Sequence, residues 1–151
     1  SCTTGKLSKK QKFEIVKLKN SHWKYGIKKQ LLHYKENFKK KDINNLLYYQ
    51  EKLIGFTALR YCKKRINNSN LKYLLFDTLI IHKSFQGKKF STLLMIFNNT
   101  IIQKKKIISF LACEDKVLSF YKKYGWKIYQ KKKFFASSNK KIMFFNSKIK
   151  I

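Results

Sequence analysis

The chain has 151 residues, 44% of them hydrophobic, which is enough for one domain with a substantial core. Its formal net charge is +29, yet no run approaches the roughly eighteen apolar residues of a transmembrane helix, and we expect no signal peptide. The three cysteines, Cys2, Cys62 and Cys113, have no CxxC spacing. They therefore argue against a disulfide framework or a metal site, and they favour a reducing cytoplasm.

The positive charge has two explanations that the sequence leaves open. Arg60 and Arg65 are the only arginines, proline is absent, and Asn and Ile are abundant, which is typical of AT-rich coding sequence. Alternatively, lysines interleaved with aromatic residues, as in residues 131–135, form a surface that binds nucleic acid. Under either explanation the surface potential attracts polyanions, including phosphorylated cofactors.

The start of the chain predicts a strand followed by a helix. Residues 1–11 are basic and polar, so we expect a loose N-terminus. Residues 12–18 alternate apolar and polar side chains imperfectly and predict a first strand. Asn20 or Ser21 can cap a helix that continues to Tyr34.

The middle of the chain predicts a hairpin and a central strand. Apolar runs at residues 45–50 and 53–62 are joined by Glu51-Lys52, which predicts a hairpin turning there. Residues 63–70 are rich in Asn and predict a loop. Residues 71–82 form a continuous apolar run, which indicates a central strand covered on both faces.

The second half of the chain predicts a parallel crossover. Residues 88–103 have apolar side chains at helical spacing, and residues 107–113 form a second buried strand. Residues 115–124 predict another helix. The last apolar stretches, 126–129 and 142–146, predict an antiparallel pair separated by a basic loop.

These elements define the expected fold class. Their order is β-α-β-β-β-α-β-α-β-β, which corresponds to an α/β protein with a central mixed sheet flanked by helices. We found no internal repeat and no linker, so we expect one domain over residues 12–151.

The loop between the central strand and the next helix is a candidate phosphate site. The first backbone N–H groups of a helix have no internal partner, and the helix dipole adds partial positive charge there. The loop has the six residues Gln86, Gly87, Lys88, Lys89, Phe90 and Ser91.

This loop resembles the acetyl-CoA signature of the GNAT superfamily of N-acetyltransferases. That signature has Gln or Arg, two residues of any kind, Gly, any residue, and then Gly or Ala. Gln86 matches the first position, and Ser91 replaces the last small residue. Lys89 stands where the signature has Gly. Because backbone N–H groups bind the phosphates, the chemistry can survive this departure, and a lysine can add a charge contact.

A second motif carries the same resemblance. Tyr121 is followed by Gly125 and Trp126, which matches the family's Tyr and Gly-aromatic pattern, and Gly125 also fits the C-terminal cap of the preceding helix. The resemblance implies that Tyr121 protonates the departing CoA thiolate. Without Gly125 and Trp126, Tyr121 would be read as a core aromatic residue.

The resemblance also implies a cosubstrate site. It places a bulge at the end of the central strand, at residues 79–82, where backbone groups pair with the pantetheine arm of acetyl-CoA. The expected cofactor-binding residues are Leu79, Ile80, Ile81, Gln86, Gly87, Lys88, Lys89, Phe90, Ser91 and Thr92, with no metal.

Asp77 is the candidate catalytic base. It is the one carboxylate inside the apolar strand, where an unpaired charge is costly. In some members of the family, the residue two before the corresponding Leu supplies or positions the base, and Asp77 is two before Leu79. Alternation puts Asp77 on the face of Leu75 and Leu79. The alternative is a structural Asp that is hydrogen-bonded to backbone or to lysine.

The resemblance implies an N-acetyltransferase that moves acetyl from acetyl-CoA to a primary amine. We expect a small acceptor such as an amino sugar or sugar nucleotide, because a basic protein attracts an amine on an anionic scaffold. The alternatives are a protein or peptide N-acetyltransferase, a basic nucleic-acid-binding protein without catalysis, and a catalytically inactive member of the fold. We expect no membrane partner.

Overall fold

A computed structural model describes residues 1–66, 69–130 and 140–146, which form seven strands and four α-helices. The strands are β1 (Cys2–Thr3), β2 (Ile43–Tyr49), β3 (Lys52–Ile66), β4 (Ser69–Ile81), β5 (Ser109–Cys113), β6 (Lys127–Ile128) and β7 (Lys141–Phe145). The helices are α1 (Lys9–His22), α2 (Ile27–Asn37), α3 (Phe90–Lys105) and α4 (Leu118–Lys123).

The strands form one mixed sheet in the order β1-β2-β3-β4-β5-β7-β6. Every neighbouring pair is antiparallel except β4 and β5, which pair in parallel at Leu74–Ser109 and Leu75–Phe110. Helix α3 connects these two strands, as a parallel pair requires. The mixed α/β class and the parallel crossover predicted from the sequence are therefore confirmed.

Helices cover both faces of the sheet. Ala58 packs in a cluster with α1 and α2, whereas its neighbour Leu59 packs in a cluster with α3. Consecutive strand residues point to opposite faces, so the two clusters form separate apolar layers. Burial of these layers supplies the main driving force for folding.

The first helix replaces the strand predicted over residues 12–18, which was wrong. Helix α1 begins after Ser8, whose side chain accepts from the Gln11 N–H at 3.1 Å, while the Gln11 side chain accepts from the Ser8 N–H at 3.0 Å. This capping box starts a helix within the segment expected to be loose. The buried face of α1 consists of Ile15, Val16, Leu18 and Lys19.

Other boundaries also differ from the predictions. The helix predicted to run from residue 20 to Tyr34 is divided, because α1 ends at His22 and α2 begins after Gly26, whose φ is +90°. The hairpin is confirmed, but its turn residues are Gln50 and Glu51, with φ of +44° and +60°. Two positive φ values are typical of a turn that matches the twist of paired strands.

The predicted loop over residues 63–70 is largely strand. Strands β3 and β4 remain paired from Lys63–Lys72 to Ile66–Ser69. The C-terminal pair is confirmed by the contacts of β6 with β7. The basic segment 131–135 lies outside the described residues. Among the described helices, we found none with the length and apolar character needed to cross a bilayer.

Candidate active site

A cleft opens where β4 and β5 separate. Their pairing stops at Leu75 and Phe110, and no further ladder pair joins them within the described residues, although β4 continues to Ile81 and β5 to Cys113. Backbone groups of β4 that face β5 in this region are therefore available to a bound molecule. The cleft has a volume of about 510 Å³, and its walls are the two strand ends, the loop after β4, and α4.

A β-bulge at Asp77 marks the mouth of this cleft. Pairing between β3 and β4 passes from Leu59–Phe76 to Ala58–Thr78, so Asp77 is an extra residue with no partner in the ladder. Such an insertion bends a strand and re-aims the side chains that follow it.

The bulge changes two expectations. It lies at Asp77, whereas the resemblance placed it at residues 79–82. It also interrupts the alternation of side chains, because Phe76 and Leu79 pack in the same α3-side cluster although they are three residues apart. Leu75 packs in a different cluster. The expectation that Leu75, Asp77 and Leu79 share one face was therefore wrong.

Asp77 contacts Arg60 at the bulge. Its Oδ2 lies 3.4 Å from Nη1 of Arg60, and the two side chains are 21% and 18% exposed. The Nε of Arg60 is buried and has no hydrogen-bond partner in the part of the chain that the structure describes. The contact is long, so Asp77 retains capacity to accept further hydrogen bonds.

A second cleft lies on the side of α1 and α2. It has a volume of about 420 Å³, and its lining includes Lys19, Lys29 and His33. Asp77 and Thr78 line both clefts. A molecule in the first cleft and a molecule in the second can therefore meet at the bulge.

The loop after β4 borders the first cleft. The Gln86 side chain donates from Nε2 to the carbonyl of Ile81 at 3.1 Å, which ties the loop to the end of β4. Gly87 has a φ of +78°, and a Cβ added there would meet nothing within 4 Å. The backbone conformation therefore favours glycine, which also leaves open space beside the loop.

Lys89 provides the N-cap of α3 in a left-handed conformation, with φ of +61° and ψ of +9°. Glycine adopts this conformation without steric cost, which explains why the signature has Gly at this position. No side chain caps the first turn of α3, and no acidic residue lies in it. Its first N–H groups are therefore suited to bind an anion.

Tyr121 of α4 lies against the other wall of the first cleft. Its ring packs edge-on against Phe76, with centroids 6.3 Å apart, and its hydroxyl makes no hydrogen bond within the described ranges. Burial, followed by the nearby Cys113 thiol, raises the pKa of Tyr121 to about 12. The phenol is therefore protonated at neutral pH and can donate a proton.

Most of the predicted site residues meet in the first cleft. Its lining includes Asp77, Leu79, Ile80, Ile81, Gln86, Gly87, Lys89, Phe90, Ser91 and Tyr121. Two predicted residues lie outside this lining. Lys88 has its Nζ over the ring of Phe85 at 5.6 Å from the centroid, and Thr92 accepts a hydrogen bond from Tyr124 at 2.7 Å.

Lys19 and Arg60 were not predicted as site residues from the sequence. Lys19 is only 5% exposed and lies on the apolar face of α1, four residues after Ile15. Assigning residues 12–18 as helix would have drawn attention to a lysine on the buried face. Arg60 is one of two arginines and interrupts an apolar strand, which was an available signal. Residues that could hold a metal do not cluster in the described parts of the chain.

No protein-family model matches the sequence, and no curated protein is significantly similar to it. Comparison with solved structures is informative. The chain is similar to the PaiA N-acetyltransferase of Thermoplasma acidophilum in complex with coenzyme A, with 20% identity, coverage of 92% of this chain and 94% of that chain, and a TM-score of 0.63.

Two further solved structures are similar to the chain over most of its length. Escherichia coli ElaA has 12% identity, with coverage of 95% and 94% and a TM-score of 0.68. The Bacillus subtilis N-acetyltransferase YlbP in complex with coenzyme A has 15% identity, with coverage of 88% and 90% and a TM-score of 0.60. The three structures match nearly the whole chain, and the chain also has the expected order of strands and helices, a bulge in β4, and divergence of β4 from β5. Together these observations show that the protein has the GNAT N-acetyltransferase fold.

Proposed function

We propose that the protein is an acetyl-CoA-dependent N-acetyltransferase that acts on a small primary amine. The observation that carries the proposal is the meeting of two clefts at Asp77, one bordered by a helix start suited to bind an anion and the other by polar side chains. A transferase that joins two substrates directly requires such an arrangement. Two of the similar structures contain bound coenzyme A, which supports the identity of the first substrate.

The residues of the first cleft fit acetyl-CoA. The free N–H groups at the start of α3 and the loop with Gly87 and Lys89 would bind the pyrophosphate. The backbone of Leu79–Ile81 would pair with the pantetheine arm, because β5 has already diverged. Acetyl-CoA supplies the activated acetyl thioester.

The chain's own side chains would move the protons. An ammonium has no lone pair, so the acceptor must lose a proton before it attacks the thioester carbon. Asp77, directly or through a water molecule, would accept this proton at Oδ1 or Oδ2. As the C–N bond forms and the C–S bond breaks, the Tyr121 hydroxyl would protonate the sulfur, and the second proton lost by the nitrogen would restore the Tyr121 hydroxyl through water. The high pKa of Tyr121 keeps it in the donor form.

The second cleft favours a small acceptor such as an amino sugar or sugar nucleotide. Its volume of about 420 Å³ is within the range of small-molecule sites. The alternative acceptor is the N-terminus of a protein or peptide. Only the first residue of that acceptor chain would occupy the cleft.

The test is an assay of free CoA thiol released from acetyl-CoA with a panel of small amines. We expect turnover by the wild-type protein and a loss of about 10²–10⁴-fold in the Asp77→Asn variant. The loss should be largest at low pH, where free amine is scarcest, and should recover partly as the pH rises. Asn keeps the shape and can still accept from Arg60. A folded variant with an unchanged pH–rate profile would show that Asp77 is structural.

Nucleic-acid binding without catalysis is tested separately. The aromatic and basic segment 131–135 that motivated this alternative lies outside the described residues. A salt titration with random oligonucleotides decides the matter, because a phosphate-driven complex weakens steeply with salt. Tight oligonucleotide binding at physiological salt, together with no affinity for acetyl-CoA, would replace the acetyltransferase proposal.

A further inference from the structure

Lys19 is a buried cation without a matched counter-ion. It is 5% exposed, and its side chain makes no hydrogen bond or ion pair with any residue in the ranges 1–66, 69–130 and 140–146. Its Nζ lies over the Phe38 ring at 5.6 Å from the centroid. The remaining exposed part of Lys19 lines the second cleft. Burying an ammonium in this way costs free energy, which a bound anion would offset.

The electrostatics around Lys19 strengthen this point. Burial lowers the pKa of Lys19, the charge of Asp77 raises it, and the charge of Arg60 lowers it again. Asp77 is already in contact with Arg60. The carboxylate that acts on Lys19 is therefore shared with Arg60, and it makes no ion pair with Lys19 within the described residues.

The second cleft as a whole is cationic. Three of its described lining residues are lysines, namely Lys19, Lys29 and Lys140, and Asp77 is its only described carboxylate. An acceptor that arrives as a simple ammonium would meet a net positive charge and be repelled. An acceptor that also carries a negative group would be attracted, and its amine could then be directed to Asp77.

We propose that Lys19 forms an anion subsite in the second cleft, which binds a phosphate or carboxylate group on the acceptor amine. This inference rests on the proposed acetyltransferase function and narrows its acceptor to amines with an anionic group. Lys19 acts as a specificity-determining residue. It contacts the part of the acceptor that does not react, and it thereby positions the amine at the bulge.

The experiment measures binding to protein saturated with CoA, which fills the pyrophosphate site first. The probes are inorganic phosphate, acetate, glucosamine 6-phosphate and glucosamine, titrated by calorimetry. The variants are Lys19→Met, which removes the charge and keeps an apolar stem, and Lys19→Arg, which retains the charge. Lys10→Met is the matched control, because Lys10 is an exposed lysine on the same helix.

We expect an anionic probe to bind the wild type about tenfold more tightly than Lys19→Met, as a charge-assisted contact implies. Lys10→Met should bind like the wild type, and Lys19→Arg should retain much of the affinity. Glucosamine should bind weakly to all four proteins. The relative affinities of phosphate and acetate identify the preferred anion. The Lys19→Met variant should also have a higher Tm without ligand, because it no longer buries an unpaired charge.

Two results would overturn the inference. One is equal affinity of the anionic probes for the wild type and Lys19→Met. The other is an equal loss of affinity in Lys10→Met, which would show that the overall charge attracts the anions. Failure of the proposed function is distinguishable, because it would appear as absent CoA binding in the initial saturation step or as absent thiol release in the amine assay, and neither readout depends on the Lys19 comparison.

Discussion

The left-handed conformation of Lys89 permits a quantitative test of the cofactor loop. A residue other than glycine in this region costs roughly 1–2 kcal/mol. Glycine avoids that cost but loses about 0.5–1 kcal/mol more backbone entropy on folding. With φ of +61° at Lys89, Lys89→Gly should therefore stabilise the protein by about 0.5–1 kcal/mol. In a chain of this length, the gain corresponds to a rise in Tm of about 1–4 °C.

The same substitution should weaken acetyl-CoA binding, because it removes a cation beside the expected pyrophosphate position. Lys89 is exposed, so we expect a loss of about two- to fivefold in affinity. Lys89→Ala separates the two effects, since it removes the charge and retains the backbone strain. It should lose the same affinity without gaining stability.

Lys106→Gly is the matched control. Lys106 has a φ of +53° at the other end of the same helix, and it does not line the first cleft. It should gain similar stability with no change in acetyl-CoA affinity. Thermal unfolding measures the first quantity, and calorimetric titration measures the second. A gain in Tm for Lys106→Gly but none for Lys89→Gly would refute the strain argument for the loop.

Further predictions concern the two walls of the first cleft and the buried lysine. Tyr121→Phe should lower kcat by about 10²–10⁴-fold with little effect on Tm. Tyr124→Phe loses a 2.7 Å hydrogen bond, so it should lower the free energy of unfolding by about 0.5–1.5 kcal/mol and retain kcat. Equal kcat values in the two variants would exclude Tyr121 as the acid. Gly87 and Gly26 both have a positive φ, and an added Cβ would meet no atom at either position, so Gly87→Ala and Gly26→Ala should lower the free energy of unfolding by similar amounts through backbone strain alone. Calorimetry should show weaker acetyl-CoA binding only for Gly87→Ala. Because the pKa of Lys19 is lowered on folding, the unfolded chain binds more protons, so stability should rise with pH between the lowered folded pKa and the unfolded value of 10.5. Urea unfolding across that range should show a smaller rise in Lys19→Met; identical pH dependence would indicate that the lysine is fully solvated.

The sequence predicted the second half of the fold better than the first half. The run at residues 71–82 and the following crossover were unambiguous, because a long apolar strand and a 3.6-residue period leave few alternatives. The first helix was missed because Phe13, Ile15 and Leu18 suggested alternation. The pair Ser8 and Gln11 contained the opposing signal, since Ser-x-x-Gln is a capping box.

The site was predictable where backbone conformation determines residue type. Gly87 and Gly125 both have positive φ, and their spacing from Gln86 and Tyr121 was visible in the sequence. The location of the bulge was not visible, because it depends on the register between β3 and β4. Lys19 was also hidden, since its role depends on a cleft built from two helices and a strand that are distant in sequence.

Because of the bulge at Asp77, a substitution at this position and a deletion of its codon would have different effects on β4. Any point substitution at position 77 leaves the number of residues in β4 intact, so the strand after it keeps its orientation and the first cleft keeps its shape. Deletion of the same codon would remove the extra residue and with it the bend of β4, although Thr78 and Leu79 would keep their β3 partners Ala58 and Thr57. A descendant of this protein could therefore lose its proposed catalytic base in one step and persist as a binding protein with the same cleft. Loss of the bend in β4 would require a change in chain length.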